Sequence, residues 1–135
     1  MTYDFTKAAN AMAIAEQQYA SAAEIKFTAF TSCIGVVARK GAMLTGVHLV
    51  LSAPDGSKFD SAAATTLVLD ILKNDYDEVC IIGCVNIWKT PENGVQAAYE
   101  KLTSQIKSLK VIQAYNFTDG TYGAAIDEGA IDITY

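Results

Sequence analysis

A chain of 135 residues, 51% apolar and 19% charged, has room for one hydrophobic core and the composition to fold it, so 1–135 is expected to be a single ordered domain. The formal charge of −5, with only ten Lys and Arg spread along the chain, excludes the basic face that nucleic-acid binding requires. No run of about 18 apolar residues offers a membrane span, no basic-then-apolar leader opens the chain, and three cysteines without the density of a disulfide scaffold point to a reducing compartment.

In chain order, Asp4 to Ala23 is rich in Ala, Gln, Glu and Met and predicts an amphipathic helix, an N-terminal piece (1–23) ahead of a core spanning 24–135. Strands are expected from Glu24. The run Phe27-Thr28-Ala29-Phe30-Thr31-Ser32-Cys33 leads into Ile34 to Ala38, a turn at Arg39-Lys40-Gly41, and Ala42 to His48, which reads as a hairpin that folds the chain's only histidine back toward Cys33. Ser52-Ala53-Pro54-Asp55-Gly56-Ser57 has loop chemistry, and a second helix is expected from Ser61 to Lys73. Glu78 to Trp88 is a nearly continuous apolar run and predicts a buried strand that carries both Cys80 and Cys84, too far apart within one strand for a disulfide and expected in the core. Thr90 and Pro91 open a third helix to about Leu109, followed by a strand from Lys110 to Phe117 and a hairpin of Tyr122 to Ile126 with Ala130 to Tyr135. Asp127, Glu128 and Asp132 read as a solvated edge. The order of elements predicts an α/β (α+β) domain, a mixed β-sheet or two-sheet sandwich flanked by helices.

The chemistry centres on Cys33 and His48. A free thiol has a pKa of about 8.5, so an imidazole that accepts its proton enlarges the reactive fraction, and a ring with a pKa near 6.5 can return that proton to a leaving nitrogen. A zinc site from Cys33, His48, Cys80 and Cys84 has the right atom types without the short knuckle spacing, so no metal and no cofactor is expected.

Thr31-Ser32-Cys33, Val36-Val37-Ala38-Arg39-Lys40-Gly41 and Val47-His48 together resemble the catalytic stretch of the cytotoxic necrotizing factor toxins, which deamidate a glutamine on Rho-family GTPases. The later elements, with Ala53-Pro54, Gly83, Asn93, Asp119-Gly120 and Tyr122 to Ile126, are similar in order to the chemoreceptor glutamine deamidase CheD. The resemblance implies a deamidase fold in which Cys33 attacks a carboxamide, His48 protonates the departing ammonia, and the backbone N–H groups of Ser32 and Cys33 receive the oxyanion. CheD and its lethal-factor relatives place a histidine-orienting threonine six residues before the cysteine. Phe27 stands there in this chain, which leaves Thr31 as the candidate third member. The implied partner is a protein with an exposed glutamine, a Rho-type GTPase first among them. The implied location is the bacterial cytoplasm before export by a route without a leader. A transglutaminase, a chemoreceptor-type deamidase, a cysteine hydrolase and a catalytically silent interaction module of the same fold remain alternatives.

Overall fold

The computed structural model describes residues 2–107 and 112–135. Strands β1 (Thr6–Lys7), β2 (Gln18–Ala22), β4 (Ile34–Lys40), β5 (Met43–Leu49), β6 (Glu78–Gly83) and β7 (Ile112–Asn116) form one mixed sheet in the order β1-β2-β5-β4-β6-β7. Strands β3 (Ile25–Lys26), β8 (Gly123–Asp127) and β9 (Ala130–Thr134) form a second sheet in the order β3-β8-β9. Between β5 and β6 lies α1 (Ser61–Thr66), continued by a π-helical turn over Leu67–Ile71. Helix α2 (Val85–Lys89) follows β6, and α3 (Gln96–Lys107) precedes β7. The α+β expectation therefore holds, and no described helix is long and apolar enough to cross a membrane.

The expected hairpin forms, with its turn at Gly41-Ala42 instead of Arg39-Lys40-Gly41, since Arg39 and Lys40 continue β4 and pair with Leu44 and Met43. β4 and β5 pair from Ile34↔Leu49 to Lys40↔Met43, and Gly41 supplies the left-handed backbone (φ 58°) that the two-residue turn needs. Its strands are covered on both faces. Ile34, Val36, Val47 and Leu49 are fully buried on one side. On the other, Gly35 and Gly46 leave space that the second sheet and its approach fill: a Cβ on Gly35 would stand 2.8 Å from the Phe27 ring, and one on Gly46 would collide with the Ile25 side chain. Helix α1 packs on α3, with α2 and α3 against β7, and these helices bury Ala63, Ala64, Leu102 and Ile106.

The N-terminal helix expected over 4–23 is not formed. The segment is two short strands and a pair of turns, with β2 hydrogen-bonded along β5 from Tyr19↔Val47 to Ala22↔Leu44. Composition favoured a helix, but the buried residues Ala8, Ile14 and Ala20 fall six apart, a spacing that lines no helix face. Asn10 accepts the Met12 N–H on its side chain (2.9 Å), a local turn that competes with helix, and Gln17 adopts φ 61°.

The expected strand over 78–88 is also shorter. It stops at Gly83, whose φ of 113° turns the chain where a Cβ would lie 2.6 Å from the Cys33 carbonyl oxygen, and residues from Val85 wind into α2. Trp88, an apolar strand residue in the expectation, is instead a fully buried helix residue edge-on to Phe59. Thr90 was expected to cap the third helix. Its hydroxyl donates to the Asn86 carbonyl instead, and a 3-10 turn (Pro91–Asn93) and Gly94 (φ 78°) precede α3. The expected end of that helix at Leu109 and the expected strand start at Lys110 lie outside the described residues. The final hairpin and its solvated Asp127, Glu128 and Asp132 are as expected.

Candidate active site

Cys33 is the last residue before β4, and the turn ahead of it is held from three directions. The bridge between Phe30 and Gly120 closes through Phe30 N–H to the Gly120 carbonyl (2.7 Å). Ser32 then takes φ 59°, a left-handed conformation uncommon for a side-chain-bearing residue, with its N–H donated to Asp119 Oδ1 (3.0 Å) and its carbonyl accepting the Trp88 indole N–H (2.9 Å). Trp88 and Asp119 thus hold in place a backbone conformation that costs of order 1–3 kcal/mol. Cys33 next accepts the Cys84 N–H on its own carbonyl (2.9 Å).

His48 lies on β5 opposite Gly35. Cys33 stands just ahead of Ile34, which pairs with Leu49, so the thiol-bearing residue and His48 lie at neighbouring registers of the hairpin. The Phe27 and Phe30 rings close over Gly35, which has no side chain, and the imidazole packs on both, at 4.8 Å from Phe30 and edge-on to Phe27 at 5.7 Å.

His48 Nδ1 lies 2.8 Å from the Ile14 carbonyl oxygen. A carbonyl only accepts, so Nδ1 carries the proton and Nε2 presents its lone pair. Nε2 is buried and has no hydrogen-bond partner among the described residues. The same N-terminal segment also grips the histidine backbone, through Gln17 N–H to the His48 carbonyl (2.8 Å). The ring is therefore oriented by Ile14 and not by Thr31.

Thr31 serves the other partner: its carbonyl accepts the Cys33 thiol at 3.4 Å. No hydrogen bond joins Cys33 to His48 among the described residues. Phe27, where the resembling families have a threonine, puts a ring edge against His48 in place of a hydroxyl. Of the two oxyanion donors expected, the Ser32 N–H is committed to Asp119, while the Cys33 N–H meets no acceptor among the described residues.

Burial sets the protonation states. Cys33 is 1% exposed and His48 0%. Desolvation pushes the Cys33 thiol up to about 11, only partly offset by backbone hydrogen bonding at Thr31, and the Glu16 and Asp119 carboxylates push the same way. Burial pulls His48 below its ordinary value, against the raising effect of the Ile14 carbonyl and Glu16. At neutral pH both groups are thus uncharged. This is the reverse of the activated thiol that the residue types suggested, because a low-dielectric site penalises an ion pair unless the partners are in contact.

Three further residues border this site, and two of them, Ile14 and Tyr3, carried no sequence signal. Ile14 acts through its carbonyl, and a main-chain group has no residue signature. Tyr3 anchors Val50 on both sides, donating to its carbonyl (2.7 Å) and accepting its N–H (2.8 Å), and it lies close enough to feel the Cys33 charge. Cys84 donates to Asp119 Oδ1 (3.2 Å), the same oxygen that takes the Ser32 N–H. Cys80 is buried in β6 opposite Val37, in the core as expected. No protein-family model and no curated protein matches the chain.

Proposed function

We propose that this domain is a cysteine-dependent protein-glutamine deamidase of the toxin or effector kind, with Cys33 as nucleophile and His48 as its base and acid. The observation that carries the reading is the histidine: its Nδ1–H is fixed by the Ile14 carbonyl, and its Nε2 lone pair is left without a partner on the strand paired with the one that Cys33 leads into. A buried ring nitrogen without a partner costs about 1–3 kcal/mol, a cost that a proton-accepting role explains.

The steps follow from a neutral pair. His48 Nε2 takes the thiol proton as Cys33 Sγ bonds to the carboxamide carbon of glutamine, and the oxygen that gains charge is met by the Cys33 N–H. The imidazolium, stabilised by the Ile14 carbonyl, gives its proton to the nitrogen, which leaves as ammonia with cleavage of the C–N bond. Water then attacks the thioester with Nε2 as base, giving glutamate and the free thiol. Since Cys33 is almost wholly covered at rest, the substrate's approach has to displace part of its cover.

The test is incubation of a Rho-type GTPase with wild type, Cys33→Ser and His48→Ala, and a mass spectrum of its glutamine peptides. Conversion of a glutamine to glutamate by wild type alone is expected. No conversion by any of them, or equal conversion by Cys33→Ser, overturns the reading. A second reading is favoured by one specific observation, the closed thiol bonded to Thr31 instead of His48: an interaction module that keeps the fold without the chemistry. It expects equal partner binding by wild type and Cys33→Ser with no change in partner mass.

A further inference from the structure

We infer that Cys33 and Cys84 form a dithiol pair that closes to a disulfide under peroxide, a modification site that stands whether or not Cys33 is a nucleophile. The pairing of β4 with β6 runs Gly35↔Ile82 and Ile34↔Gly83, so the next position sets Cys33 opposite Cys84, and the Cys84 N–H to Cys33 carbonyl bond (2.9 Å) carries the ladder to that position. Gly83 ends the strand at φ 113°, so the two residues hang on that one bond, which still holds their backbones at about the spacing of paired strands, roughly 4.5–5.5 Å between Cα atoms. That separation lies inside the range of about 4.4–6.8 Å that disulfides span. Both thiols are free, and neither holds the other: Cys33 donates to the Thr31 carbonyl and Cys84 to Asp119. Closure therefore needs side-chain rotation and the exchange of two weak thiol hydrogen bonds.

The two cysteines differ in access, which orders the chemistry. Cys84, itself buried, contributes to the wall of an open groove of about 410 Å³ with Asn86, Asn116, Thr118 and Asp119, and Cys33 is not among the residues that line it. Hydrogen peroxide reaches Cys84 from the groove. The sulfur gives up an electron pair, the O–O bond breaks, and a sulfenic acid and water result. The Cys33 sulfur then bonds to the Cys84 sulfur, the sulfenic oxygen leaves as a second water, and the two thiol protons are carried away in the two waters. One peroxide is reduced and two sulfurs are oxidised, one electron each. The product ties the start of β4 to the start of α2 and removes the thiol that the proposed deamidation would use.

The experiment treats the folded full chain with hydrogen peroxide, blocks remaining thiols with iodoacetamide in denaturant, and maps the cysteine peptides by mass spectrometry without reductant. The expected result is a peptide pair linking Cys33 to Cys84, two hydrogens lighter than the sum of its parts, with Cys80 alkylated and dithiothreitol restoring alkylation at both positions. In Cys84→Ser, Cys33 should stay alkylatable after the same treatment. A link to Cys80 instead, oxidation of Cys84 that leaves Cys33 alkylatable, or no loss of alkylation at either cysteine in wild type overturns the inference.

Discussion

Iodoacetamide alkylation of Cys33 tests the neutral pair directly. An ordinary thiol with a pKa of about 8.5 is roughly 3% thiolate at pH 7, and one held at about 11 is roughly 0.01% thiolate, about 300-fold less. A more basic thiolate is also a better nucleophile, and a Brønsted slope of about 0.4–0.5 over that difference returns roughly a factor of ten to twenty. The net expectation is alkylation about 15- to 30-fold slower than in the chain unfolded in guanidinium, before the cover over a 1% exposed residue slows it further. The rate should climb about tenfold per pH unit and level off only near 11. Peptide-resolved mass spectrometry at a series of pH values and reaction times reads this for all three cysteines at once. Alkylation of Cys33 at pH 7 as fast as in the unfolded chain, with a flat pH profile, would mean a thiolate–imidazolium pair and would refute the argument from burial.

The histidine gives a signed prediction. Its folded pKa lies below the unfolded value, so the unfolded chain binds the extra proton first, and stability present above about pH 6.5 should fall as pH drops below it. Urea midpoints from about pH 8 to 5 should show that loss in wild type and a shallower one in His48→Gln; parallel curves would place the acid sensitivity elsewhere. Gly35→Ala should destabilise by about 1–3 kcal/mol, because the new Cβ meets the Phe27 ring at 2.8 Å and the Phe30 ring at 3.0 Å, and both rings already pack on His48. An unchanged denaturation midpoint would show that the rings yield without cost.

Elements whose cause is local were legible from the residues. The β4–β5 hairpin follows from alternating apolar residues around Gly41, α1 from the Asp60 cap that accepts the Ala63 N–H, and the last hairpin from Glu128 and Gly129, both at positive φ. Which residues of β5 face the start of β4 was not legible, because a turn at Arg39-Lys40-Gly41 and the observed one at Gly41-Ala42 set different registers. Segments whose helix or strand preference is weak were decided by what they pack against. Residues 4–23 have helical composition, yet the open hydrogen-bonding edge of β5 recruited Gln18 to Ala22 as a strand, since a ladder of backbone bonds outweighs a few tenths of a kcal/mol of propensity per residue. That choice delivers the Ile14 carbonyl to His48. The protonation of the site lay equally beyond the residue types: Cys next to His suggests an ion pair, but closure of the second sheet over Gly35 and Gly46 removes water from both groups, and the cost of burying charge keeps them neutral.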